Sequence, residues 1–182
     1  MIANAPLDTP PVEFGMRAYS VGMGLPYLGN LYVEGRVERT DLHANCPHPR
    51  MADCLCGIHY VQSVDAFAEE IQSFWTDYKY RVREPLLTVA GALSIGTAHG
   101  WCGDDPAGDT DPWGGEKPRR TAVYRMRKLY VSTRCAETKP VLQRTFADIP
   151  VQLVNPEDGP QILRDILDTE LVKLSQTHVL QG

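Results

Sequence analysis

The chain has 182 residues, 43% hydrophobic and 23% charged, with a formal net charge of −5. Those values suit a globular domain and exclude a wholly disordered chain, a collagen-like repeat and a strongly basic nucleic-acid coat. No apolar run reaches the ~20 residues of a membrane-spanning helix, and Met1 to Pro11 shows neither a basic n-region nor an apolar h-region, so cytoplasmic residence without membrane contact is expected.

Residues 1–13 hold Pro6, Pro10 and Pro11 and no periodic pattern, which predicts a flexible arm ahead of a single α+β domain over 14–182. Met16 to Val21 suits a first strand. Leu31 to Val37 alternates apolar and polar residues, the mark of a half-buried second strand. Gly22, Gly24, Pro26, Gly29 and Asn30 supply turn signals between them. A cysteine- and proline-rich segment follows, from His43 to His59. Ser63 then offers a cap for a helix over 64–80. Its residues Phe67, Ile71, Phe74, Trp75 and Tyr78 fall on one face. The residues from Leu86 to Ile95 read as a strand in which Gly91 marks a bulge or a close backbone contact. The stretch at about 102–118, with Asp104, Asp105, Asp109, Asp111 and Glu116, reads as an acidic loop insertion. Arg120 to Thr133 and Pro150 to Val154 are strand candidates. A last helix starts near Pro160, with Leu163, Ile166, Leu167, Leu171 and Leu174 on one face. The expected architecture is a curved antiparallel sheet with one packed helix, a zinc-knuckle loop and a C-terminal helix.

Three of the five cysteines, Cys46, Cys54 and Cys56, lie within eleven residues. Zinc takes four thiolate or imidazole ligands in a tetrahedron. Cys46, His48, Cys54 and Cys56 offer three sulfurs and one nitrogen, with His59 and His43 in reserve. Gly57, directly after the last cysteine, suits close backbone approach or positive φ. Four protein ligands leave no open position for water, so the zinc would be structural. Buried free thiols, or a disulfide among these three cysteines, are the alternatives.

A resemblance is carried by Met16-Arg17-Ala18-Tyr19, by Ala44 with Cys46 and His48, and by Cys54-Leu55-Cys56-Gly57-Ile58. Further on it continues through Gly91, Ile95-Gly96, His99, Arg120 to Ala122 and Lys128-Leu129-Tyr130-Val131. On these residues the chain resembles a group of small actinobacterial and actinobacteriophage proteins with a C…H…C-x-C-G-I knuckle. The resemblance spans 16–154. It implies a mixed, β-rich fold and cytoplasmic residence, and no particular reaction.

Lys117, Arg119, Arg120, Arg125, Arg127, Lys128 and Arg134 place seven basic residues in eighteen with no acid. Strand alternation sets Arg125 and Arg127 on one face, and Tyr124, Met126 and Lys128 on the other. Such a strand can track phosphates, through Arg119, Arg120, Arg125, Arg127 and Lys128, or form a solvated face. His99 and Cys102 allow a thiol–imidazole pair, with no third orienting residue evident. The expected function is a non-enzymatic binding or regulatory protein of actinobacterial or phage origin, acting on a host protein and stapled by structural zinc. The alternatives are a nucleic-acid-associated protein using the 117–134 strand, or an enzyme using the cysteine–histidine cluster.

Overall fold

The computed structural model describes residues 13–22, 28–30, 36–46, 56–65, 67, 88–104, 119–155 and 160–179. Three strands organise them: β1 (Glu13–Gly22), with β6 (Thr88–Asp104) and β7 (Arg119–Ser132) to come later in the chain. Between β1 and β6 lie the short strands β2 (Leu28–Asn30), β3 (Arg36–Val37), β4 (Asp41–His43) and β5 (Ile58–Tyr60). After β7 come a 3-10 turn (Thr133–Thr138), α1 (Lys139–Thr145), β8 (Val151–Val154) and α2 (Pro160–Val179).

The sheet runs β3-β2-β1-β6-β7-β4, with β5 and β8 also on β7. The outer edge of β7 is thus covered end to end by three short pieces. β5 pairs with Arg119 to Thr121, β4 with Val123 to Arg125, and β8 with Leu129 to Ser132. Every pairing is antiparallel except one: β8 runs parallel to β7, so the sheet is mixed rather than antiparallel throughout. Parallel neighbours need a crossover. The 3-10 turn and α1 supply it, and Pro140 stands in the first turn of α1, where its missing N–H costs nothing.

The expected boundaries shift. β1 begins at Glu13, inside the stretch read as an arm. Gly29 and Asn30, read as turn residues, pair with Ser20 and Tyr19 in β2. β6 continues through Gly100 to Asp104, so 102–104 belong to a strand rather than to the acidic insertion. Of the helix expected over 64–80, Val64, Asp65 and Phe67 are helical. Its remainder, the arm up to residue 12, residues 31–35 and the acidic residues 105–118 lie outside the described residues.

Both faces of the sheet are covered. On one, Tyr19, Val21, Ala92, Leu129 and Val131 pack with Leu142 of α1, Phe146 and Ile149. On the other, Met16, Ala18, Leu93, Ile95 and Tyr130 pack with Phe67 and with Leu167 of α2. The alternation of β1 puts Met16 and Ala18 on the second face and Tyr19 and Val21 on the first. In β7 the parity changes midway. Tyr124 and Met126 share the first face with Leu129 and Val131. Ile95 pairs with Lys128 and Gly96 with Met126, so Arg127 is the extra residue of a bulge. Lys128 is thereby turned to the α2 side, where its Nζ lies 3.1 Å from Glu170 Oε1. It does not share a face with Tyr124 and Met126 as strict alternation predicts.

One end of the sheet closes on itself. β5 pairs with the outer edge of β7, and the next residue, Val61, exchanges two backbone hydrogen bonds with Met16 on the outer edge of β1. The circuit β1-β6-β7-β5 therefore has no gap at this level. Gly15 and Gly96, cross-strand partners, make the tight closure possible. A Cβ on Gly15 would stand 2.9 Å from Val61 O, and one on Gly96 would stand 2.6 Å from Cζ of Tyr124. The hollow is filled by the rings of Tyr60 and Tyr124, with centroids 6.2 Å apart. Tyr124 Oη donates to Gly15 O at 3.1 Å, and Ser94 Oγ lies 3.1 Å from the hydroxyls of both Tyr19 and Tyr124. Gly91 is both things expected of it. It is the extra residue of a β6 bulge, since Tyr19 pairs with Ala92 and Ser20 with Ala90. A Cβ there would also meet Cys135 Sγ at 2.9 Å.

Candidate functional site

The cysteine–histidine segment leaves and rejoins the sheet at adjoining positions of β7. Ala44 N–H bonds to Ala122 O at 2.9 Å, and Ile58 pairs with Thr121. The two ends of the 45–57 excursion, its feet, thus stand side by side on β7. Gly57 has φ 137°, a conformation open to glycine, and turns the chain back into β5.

The two feet share one support. Arg120 is buried, at 1% exposure. Its Nη1 donates to Cys56 O at 2.8 Å, and its Nε and Nη2 donate to Asp104 O at 3.4 and 3.2 Å. Its guanidinium lies over the Trp101 ring, 5.2 Å from the centroid. Trp101 packs against Ala122 and Val123, as do Ala44 and Cys46 of the first foot. Cys46 and Cys56 are half-buried at the two feet. His48 and Cys54 lie outside the described residues. His43 is exposed at the entry, on β4 opposite Val123, and His59 is half-buried on β5 opposite Arg120. Among the described residues no three histidine, cysteine or acidic side chains gather as a metal site.

An open groove of 320 Å³ adjoins the feet. Val37, Leu42 and Ile58 line it with two arginines, Arg36 and Arg39, two acids, Glu38 and Asp41, and His43. Val37 is buried and the two arginines are exposed.

The five basic residues expected to track phosphates, Arg119, Arg120, Arg125, Arg127 and Lys128, do not form one solvent-facing strip. Arg120 is internal, as described. Arg119 donates to Glu13 through Nε and Nη2, and to Asp104 through Nη1. Arg125 grips Asp41 with two bonds, Nε to Oδ1 at 2.6 Å and Nη2 to Oδ2 at 3.2 Å. Lys128 pairs with Glu170. Arg127 alone of the five has a buried donor nitrogen without a partner.

His99 and Cys102 are parted by a bulge, with Gly100 at φ 73°. His99 is buried, its Nε2 2.8 Å from Thr97 Oγ1, while Cys102 Sγ donates to Thr121 Oγ1 at 3.4 Å. Burial pushes the Cys102 thiol up from its ordinary value, so it stays protonated near neutral pH. Beside it lies a cluster that sequence reasoning missed: Glu13 accepts from both Tyr60 Oη and Arg119. Its members come from β1, β5 and β7, more than forty residues apart in sequence, and no short motif announces them.

No protein-family model, curated protein or solved structure matches this chain. Among the described residues no helix is long and apolar enough to cross a membrane.

Proposed function

We propose that the chain is a non-enzymatic binding protein that presents the 45–57 excursion and the adjoining groove to a host protein, with the excursion stapled by structural zinc. The observation that carries this is the anchoring of the excursion: both feet rest on neighbouring β7 residues, and buried Arg120 holds the carbonyl of Cys56. Nothing apolar is needed to shape such a loop if a metal ties it. Cys46 and Cys56, half-buried at the feet, would supply two thiolates, and His48 and Cys54 complete the set that the spacing suggests. The groove chemistry favours a partner segment with an apolar side chain for Val37, Leu42 and Ile58, and exposed Arg39 at its rim offers one cation to such a partner. The unactivated Cys102 thiol speaks against a thiol enzyme.

Protein purified without added zinc is expected to carry about one zinc per chain, the stoichiometry of a four-ligand structural site. Cys56→Ser lowers that content and Cys135→Ser leaves it unchanged. Affinity capture from an actinobacterial lysate is expected to retain a nuclease-resistant protein that Arg39→Glu releases. A metal-free, folded protein with reduced thiols would sink the zinc staple. Capture that nuclease abolishes would transfer the function to nucleic acid.

A further inference from the structure

Arg127 is the residue that the β7 bulge ejects from its pairing with β6. On the outer edge of β7, Met126 N–H bonds to Thr40 O at 2.8 Å and Leu129 N–H bonds to Pro150 O at 3.0 Å. Arg127 therefore stands at the seam where the cover by β4 ends and the cover by β8 begins. Thr40 Oγ1 donates to Asp148 Oδ2 at 3.0 Å and ties the two sides of the seam together. Bulges re-aim side chains, and this one sets Arg127 at the junction of the two covering strands.

The side chain is half-buried, and its Nε is shielded from solvent without a hydrogen-bond partner. Arginine carries five donors and no acceptor, and a shielded donor left unpaired is costly. Asp41, whose negative charge acts on Arg127, is already held in a two-bond grip by Arg125. Arg125 in turn repels it. Burial, and after it that repulsion, pull the Arg127 guanidinium below its ordinary value. Arg119, Arg125 and Lys128 each have a carboxylate. Arg127 is half-buried as they are, and among the described residues no carboxylate forms an ion pair with it.

We propose that Arg127 anchors an oxyanion site at the β4–β8 seam that takes a phosphate group. The guanidinium fork matches two phosphate oxygens. A phosphate also brings more than one negative charge near neutral pH, enough to satisfy Arg127 and relieve its repulsion by Arg125. A single carboxylate would do only the first. This site is independent of the zinc staple and of the groove.

The test uses the full chain, melted at constant ionic strength in chloride, with inorganic phosphate or acetate added. Phosphate is expected to raise Tm, and Arg127→Met to weaken the affinity read from that shift by about tenfold or more, the scale of one charge-assisted hydrogen bond. Without phosphate, Arg127→Met should melt no lower than the native chain, because it removes an unpaired buried donor. A variant that melts lower yet keeps the full phosphate shift would make Arg127 merely structural and overturn the site. So would the absence of any shift beyond chloride, or an equal Arg127-dependent shift with acetate. Should Arg127→Met fail to fold, Arg127→Lys carries the test: it keeps the charge and loses the fork, and an unchanged phosphate affinity overturns the proposal. A single-stranded oligothymidylate then identifies the source. Binding lost in the variant assigns the phosphate to a nucleic-acid strand, and a phosphate effect without oligonucleotide binding assigns it to a small phosphorylated molecule.

Discussion

At the scale of single residues, the closed end of the sheet depends on two places where a side chain is forbidden and two where a large ring is required. Gly96→Ala would push a methyl group to 2.6 Å from the Tyr124 ring, with backbone of Arg125 also in the way. It should cost about 1–3 kcal/mol, the usual range for overpacking, read as a fall in Tm. Tyr124→Phe keeps the ring but removes the hydroxyl's bonds to Gly15 O and to Ser94, which retains Tyr19, and should cost about 1–3 kcal/mol by denaturant titration. Glu13 adds a pH dependence. Its burial raises its pKa, but the bonds from Arg119 and Tyr60 outweigh that and leave it below its ordinary value of 4.5. The folded pKa is thus below the unfolded one. Its stabilisation is present above pH 4.5 and is lost as pH falls through the folded value. Glu13→Gln should flatten the stability profile below pH 4.5 and leave its slope near neutral pH unchanged.

At the scale of elements, α2 is held by Leu167, fully buried, while Val172 stands 53% exposed. Leu167→Ala should cost about 2–5 kcal/mol and Val172→Ala less than about 0.5 kcal/mol, a contrast measurable by thermal melts. The leucine face of this helix was legible because five apolar residues repeat at helical spacing behind Pro160. The strand at 119–132 was legible from its apolar and aromatic run. Other features were hidden for physical reasons. Gly29 and Asn30 look like turn residues, yet partners on β1 hold them extended. Gly100 should interrupt β6, but a bulge absorbs its positive φ and pairing resumes at Cys102. The direction of β8 depends on α1, a seven-residue helix with no long apolar stripe. The face of Lys128 depends on the bulge at Arg127, which a period-two pattern cannot show. At the candidate site, Cys46 and Cys56 were found by spacing, whereas Arg120 looked like a surface cation and is the buried clamp beneath them.

At the scale of the whole molecule, the contacts that close the sheet join distant parts of the chain. Glu13 meets Arg119 across 106 positions, and Tyr60 meets Glu13 across 47. Such topology makes folding slow, because loop-closure entropy is spent before the long-range pairs form. Refolding by stopped-flow should fall in the range of about milliseconds to seconds, and a microsecond phase carrying full amplitude would contradict it. The cover of β7 has a further consequence. A long, apolar strand with a bare edge is a template for another chain. Here that edge is shielded by three pieces of four residues or fewer from separate parts of the sequence, each able to lift without the others. Loss of β4 and β5 together, the neighbours of the 45–57 excursion, would bare Arg119 to Arg125 while the β1-β6-β7 pairing stayed intact. If zinc ties the excursion as proposed, chelation should therefore drive self-association of an otherwise native fold. Light scattering should rise at temperatures well below the loss of far-ultraviolet dichroism.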